Sequence, residues 1–263
     1  MSALSPGDAA VFASKIVLAP ALIAGVSVAG QRLGARLAGS LTALPVVAGP
    51  IALFVALEQG AAFGSRAARG ALAGELSLAA FCLAYGYACL RWRWFVCLPL
   101  ALGAFAAGTL ALDAVDPSLA VATAAGFAVP LGVPHLLPDP HVAAGRRVIT
   151  RGELAVRMVA GAALVVAVTA AASALGPRLA GLLTPFPVAA SVLTVFSHRG
   201  QGAAFAVQLL RGLCRGLLGM TGFFLVLTLG LETLGLAAAF ALACAAALAT
   251  QAVLVARLRR AAP

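Results

Sequence analysis

The chain has 263 residues, is 63% hydrophobic and only 10% charged, and has a mean hydropathy of +1.06. Ordinary soluble domains are not so apolar, which places this one in a lipid bilayer. Its net charge of +10 does not indicate nucleic acid, because the basic residues stand in ones and twos between apolar stretches of membrane-spanning length.

Apolar windows predict an all-α bundle of nine transmembrane helices. The first, near 11–29, carries Lys15. It imitates a signal peptide in its small residues but has no positive charge before the apolar run, so it reads as a retained helix. The second, 37–57, holds Thr42 and Pro45, and the third, 71–90, holds Glu75. Tyr85, Tyr87, Trp92 and Trp94 surround Arg91 and Arg93 as an interfacial belt, and the fourth helix follows over 94–112. The fifth, 119–133, is short, contains Pro130, and runs into PHLLPDPHVAAGRRVITRGE. Thr150 and Glu153 have capping-box spacing at the start of the sixth helix, 154–174, which carries Arg157. Thr184 and Pro187 lie in the seventh, 179–196. The eighth and ninth span 213–231 and 236–255. The five cysteines, Cys82, Cys89, Cys97, Cys214 and Cys244, sit in apolar runs with no CxxC spacing and read as packing residues.

One phrase is written twice: RLAGSLTALPVVAG at 36–49 and RLAGLLTPFPVAAS at 178–191. At an offset of 142 without gaps, residues 33–63 match 175–205 at seventeen of thirty-one positions, where this composition gives roughly four by chance. The register continues through Gln59 and Gln201, Arg69 and Arg211, Gly70 and Gly212, Gly74 and Gly216, and Lys15 and Arg157. The chain therefore reads as one membrane domain over 1–263. A first four-helix repeat covers about 9–112, a linking helix and loop about 113–152, and a second repeat about 153–257. A crossing fifth helix inverts the second repeat relative to the first. With the carboxyl terminus inside, the inner face then collects Arg32, Arg36, Arg91, Arg93, Arg146, Arg147, Arg151, Arg199, Arg211, Arg257, Arg259 and Arg260. The outer face keeps Arg66, Arg69 and Arg178, and this arginine asymmetry favours inversion.

Pro45 and Pro187 each remove an amide donor, so a kink or break is expected in the second and seventh helices. Such a feature serves either packing or a site between discontinuous helices near the membrane midplane, the arrangement that exposes backbone groups to a transported solute. Thr42, Pro45, Thr184 and Pro187 are the site residues of the second reading. Lys15 and Arg157 either snorkel or supply matched positive charge to an anion, since few acids stand near them in sequence. Glu75 is the one acid well inside a predicted span and is a candidate protonation site; its counterpart is Leu217, so no symmetric carboxylate pair exists. Gln59, Arg69, Gln201 and Arg211 are duplicated polar positions, and the two Gly-x-x-x-Gly pairs suit close helix packing. His135, Asp139 and His141 lack a fourth ligand and a suitable spacing, so no metal site is expected. No catalytic motif or cofactor loop is present, so an enzyme is not expected.

The stretch at 178–191 resembles the GlpM-type bacterial inner-membrane proteins, through Ala180, Gly181, Leu182, Phe186 and Pro187. It departs from their pattern at Thr184 and Pro185, and Leu44 replaces the phenylalanine in the first half. The resemblance implies a duplicated, fused version of a half-sized unit in a bacterial inner membrane, linked with alginate production. Two function classes follow. One is a secondary transporter or exporter of a small anionic solute; the other is a non-transporting accessory protein of envelope or exopolysaccharide assembly. The expected partners are the lipid bilayer and such a solute, with homo-oligomerisation left open and nucleic acid excluded.

Overall fold

A computed structural model describes residues 6–45, 48–140, 149–182 and 186–260. Helix makes up 87% of it, and no strand occurs among the described residues. The elements are α1 (Pro6–Leu33), α2 (Ala35–Thr42), α3 (Ala48–Gln59), α4 (Ala61–Ala88), α5 (Trp94–Val115), α6 (Leu119–Leu136), α7 (Arg151–Leu182), α8 (Val188–Gln201), α9 (Ala203–Gly230) and α10 (Leu236–Arg260). Among the described residues, α4, α5, α6, α9 and α10 are long and apolar enough to cross a membrane.

The expected helix limits change in several places. The span over 37–57 divides into α2 and α3 around Pro45. The expected boundary between the sixth and seventh helices is absent, because α7 continues to Leu182 and the interruption falls before Val188. Gly34, at φ 86 and ψ 169, separates α1 from α2 in a backbone region open only to glycine. Its register partner Gly176 instead lies within α7. The third and eighth helices begin at Ala61 and Ala203, earlier than apolar windows suggest, because they extend through Arg66, Arg69, Gln208 and Arg211. The short fifth helix runs through Pro130 and Pro134 to Leu136. Pro130 has no amide to give Gly126, and the Thr221 hydroxyl of α9 approaches that carbonyl instead, at 2.8 Å.

The helix limits repeat at the sequence offset. Both limits of α4 recur 142 residues later in α9, and α10 begins 142 residues after α5. The buried stripes do the same. In α5 the buried residues are Cys97, Ala101, Phe105 and Thr109; in α10 they include Ala239, Ala243, Ala247 and Gln251, the same four register positions. Spaced every four residues, each stripe seats one helix face against a neighbour, α4 for α5 and α9 for α10. The remaining faces are apolar and uncovered, with Leu110 and Leu248 each 62% exposed, as suits helices against lipid.

At the centre, α4 and α9 cross antiparallel. Ser65 near the start of α4 bonds the carbonyl of Thr228 near the end of α9, Glu75 meets Thr221 at mid-helix, and Gly86 faces Leu210. Between and around them pack Leu72, Phe81, Leu217, Phe223, Phe224 and Leu227, and α6 lies against both helices. Cys82, Cys89, Cys97 and Cys214 are buried free thiols, and Cys244 is exposed.

α2 lies across α9 at backbone contact distance. A Cβ on Gly39 would overlap the Leu209 carbonyl, one on Gly212 the Arg36 carbonyl, and one on Gly216 the Ser40 carbonyl. The Gly212-x-x-x-Gly216 face thus admits α2, and Gly39 returns the contact from the other side. The earlier pair, Gly70 and Gly74, lies on α4, which packs against α7.

Candidate functional site

The two prolines meet the helices that follow them alike. After Thr42, the amides of Ala43 and Leu44 turn back to the carbonyls of Ser40 and Leu41, tightening the end of α2. Pro45 then opens the next helix, its carbonyl accepting from Gly49 N–H at 2.8 Å; Pro187 does the same for Ser191 at 2.7 Å. These two bonds occupy equivalent positions in the register. Each proline therefore stands where its missing amide costs nothing, at a helix start rather than mid-helix. Pro187 is buried and Pro45 half-buried. Next to Pro187, the Phe186 ring packs edge-on against Phe105 with centroids 5.3 Å apart.

Thr42 is buried, and its hydroxyl donates to the Ala38 carbonyl one turn earlier, at 2.9 Å. Thr184 lies outside the described residues. α2 touches α8, and Ala38, Leu41, Val192 and Leu193 share a small apolar cluster with Ile23 and Val26 of α1. The two interrupted regions are thus joined by a packed seam.

Lys15 falls within α1, and its side chain lies outside the described atoms. Arg157 is 1% exposed. Its Nη2 binds Glu153 Oε1 at 2.7 Å, Nη1 binds the Ser27 hydroxyl at 3.2 Å, and the guanidinium stands 5.2 Å from the centre of the Phe196 ring. The sequence argument that few acids are near enough to neutralise this charge, which favoured a ligand over an internal ion pair, is therefore corrected for Arg157. Glu153, one turn away, is the counter-ion, and Arg157 ties α7 to α1 and α8. The Thr150 hydroxyl accepts from Glu153 N–H at 3.2 Å, the first half of the expected capping box, while the glutamate carboxylate turns to the arginine.

Gln59 and Gln201 end α3 and α8, each followed by a glycine at positive φ, Gly60 and Gly202, that starts the next helix. The duplicated arginines hold the linking helix at its two ends. Arg69 donates to the Pro117 carbonyl at 2.7 Å and lies 3.8 Å from Asp116, just before α6. Arg211 donates to the Pro138 carbonyl at 2.9 Å and pairs with Asp139 at 3.0 Å, just after it.

Around Asp139 a basic cluster forms that sequence reading did not assemble. Arg36 of α2 reaches Asp139 at 3.2 Å and Gln208 at 2.6 Å, and Gln208 donates to Asp139 at 2.7 Å. The hydrogen bond from Gln208, and after it the charges of Arg211 and Arg36, hold the Asp139 carboxyl below the usual aspartate value. Gln208, Arg211 and Arg215, at spacings of three and four on α9, were the available signal: a polar stripe at helical period. His135 is exposed and His141 lies outside the described residues. Among the described residues no three His, Cys, Asp or Glu side chains gather as metal ligands.

Glu75 is fully buried halfway along α4. Its Oε2 lies 2.6 Å from the Thr221 hydroxyl, and Oε1 has no hydrogen-bond partner. Thr221 was missed by sequence reading because a threonine in an apolar run is usually back-bonded to its own helix. Gly126 is what allows its approach to α6, since a Cβ there would stand 2.8 Å from Thr221 Cγ2.

No protein-family model, curated protein or solved structure matches the chain. The resemblance to GlpM-type proteins accordingly rests on the residues quoted for it.

Proposed function

We propose that the chain is a secondary transporter or exporter of a small anionic solute, a multi-pass protein of the bacterial inner membrane with its carboxyl terminus in the cytoplasm. In this reading two inverted halves, α1 to α5 and α7 to α10, are joined by α6, and the unbroken α7 takes the place of the sixth expected helix and the first part of the seventh. The antiparallel crossing of α4 and α9 supports inversion, because helices in equivalent positions of parallel repeats would cross the bilayer in the same direction. So does the sorting of charge: Arg36, Asp139 and Arg211 meet at one end of the bundle, and Arg69 and Asp116 meet elsewhere. At 1.5 Å per residue, the eight residues of α2 and twelve of α3 together reach about 30 Å, enough for one crossing.

The observation that carries the transport reading is the pair of matched breaks, with Pro45 and Pro187 each opening a half-helix by an equivalent amide–carbonyl bond. A packing kink need not recur in both halves. A half-helix amino terminus directs partial positive charge into the bundle, where it favours an anion. The test is uptake into proteoliposomes of a panel of labelled small anions: phosphate, sulfate, acetate and succinate. Saturable uptake of one of them, reduced by Pro187→Ala in protein of unchanged helicity, is the expected result. Absence of uptake and of counterflow for every anion would refute the reading and favour the accessory role.

A further inference from the structure

We propose that Glu75 is a proton-binding site in the helix core, holding its proton as a neutral carboxylic acid that donates to Thr221. The argument starts from Pro130, whose ring nitrogen has no hydrogen to give the Gly126 carbonyl one turn back. The Thr221 hydroxyl stands 2.8 Å from that freed carbonyl. The same hydroxyl oxygen lies 3.0 Å from the Leu217 carbonyl on its own helix and 2.6 Å from Glu75 Oε2. A hydroxyl has one proton and two lone pairs, so it can donate to one of these three acceptors only. The Gly126 carbonyl has lost its helical donor and has the greater need of it. The contact to Glu75, at full hydrogen-bond proximity, then requires a proton from the other side, and the carboxyl is the group that can bring one.

Burial points the same way. An ionised Glu75 would be a charge with no exposed surface and one hydrogen bond, with a second oxygen lacking any partner. Among the described residues the hydrogen-bond partner of the Glu75 carboxyl is the Thr221 hydroxyl. An uncompensated charge in that position is far costlier than an unpartnered carbonyl oxygen of a neutral acid. Leu217, the register counterpart of Glu75, makes this a single site on one side of the α4–α9 crossing.

The coupling role rests on the transporter reading: in it, the proton held here is the coupling ion. Releasing it would require water or a cation to reach α4 beside α6, and so a change in how α6 sits against the α4–α9 pair.

The test is infrared spectroscopy of the purified full-length protein in lipid at neutral pH. The expected result is a carbonyl-stretch band of a protonated, hydrogen-bonded carboxyl that disappears in Glu75→Gln. Thr221→Val should keep the band but move it to higher frequency, because the acid has lost its acceptor. Pro130→Ala should shift it too, because a restored amide takes the Gly126 carbonyl and releases the threonine proton. A wild-type protein without such a band overturns the proposal, and so does a band indifferent to Thr221→Val. Where Glu75→Gln fails to fold, the Thr221→Val shift decides. In proteoliposomes, phosphate serves as the probe anion, and Glu75→Gln should abolish acceleration of uptake by a pH gradient while sparing counterflow. Wild-type protein with the infrared band and no uptake would sink the transporter reading and leave the proton site standing.

Discussion

The α2–α9 crossing gives a sharp test of how this bundle is held. Placing a methyl on Gly39 drives a carbon into the Leu209 carbonyl oxygen and puts it 2.7 Å from the Leu213 nitrogen. Both obstacles are backbone, so no side-chain rotation relieves them. Cβ atoms essentially never approach closer than 3.0 Å, so the two helices must part. A gap of about 0.5–1 Å forfeits roughly a quarter to a half of the dispersion energy of each contact across it. Overpacking of this kind costs about 1–3 kcal/mol, and the upper end applies to Gly39→Ala because neither backbone can yield locally. Gly222, also on α9, has nothing within 4 Å of its would-be Cβ. Gly222→Ala should therefore stabilise by up to about 1 kcal/mol through helix propensity alone. Equilibrium unfolding in mixed micelles, followed by far-ultraviolet circular dichroism, measures both. Gly39→Ala and Gly212→Ala should also be strongly non-additive, since the first separation makes room for the second methyl. If Gly39→Ala unfolds within about 0.5 kcal/mol of the parent, or if Gly222→Ala is as harmful, the close crossing is wrong.

Arg157→Met should lower stability by about 3–5 kcal/mol, the usual loss when one partner of a buried ion pair is removed, because it takes the guanidinium from the Glu153 carboxylate and empties the space against Ser27 and Phe196. The same unfolding assay checks it, and an unchanged midpoint would return Arg157 to the role of a free cation awaiting a ligand. Asp139 has a depressed value in the folded protein, so its contribution to stability is complete above the unfolded aspartate value of about 3.9 and is lost as pH falls through the folded value. Thermal midpoints of wild type and Asp139→Asn should thus differ at neutral pH and converge in strong acid. Cysteines placed at Asp113 and at Arg147 should be labelled by an impermeant reagent from opposite sides of the membrane, and labelling of both from one side would refute the inverted arrangement.

Helix class and most helix positions were legible because apolar runs in this chain have few competing explanations. The sequence offset of 142 also anticipated detail that no window method reaches, such as the matching stripes Cys97–Thr109 and Ala239–Gln251. The limits of α4 and α9 were misplaced for a physical reason. Hydropathy asks whether a residue suits lipid, whereas Arg69, Gln208 and Arg211 are helical because carbonyls and Asp116 or Asp139 receive their protons. The site was less legible still. Glu75 was noticed as an isolated acid, but its partners Thr221 and Gly126 stand 146 and 51 positions away in the chain. Pairing across such distances is a product of packing and leaves no local periodicity.

The duplicated arginines Arg69 and Arg211 serve a segment that is not itself duplicated. Repetition of Arg69 as Arg211 invites the idea of a symmetric ligand site, yet both arginines are spent on the one segment that has no duplicate. If the two halves are inverted about an axis near the α4–α9 crossing, an element lying on that axis presents opposite ends to the two halves. Equivalent residues then meet different ends of the same helix: Arg69 meets Asp116 and Pro117 before α6, and Arg211 meets Pro138 and Asp139 after it. Fastening a single linking helix at both ends is thus enough to retain an arginine in each repeat. The breaks at Pro45 and Pro187 differ in kind, because each is made within its own half by its own backbone. That difference is why the breaks, and not the duplicated arginines, carry the argument for a site.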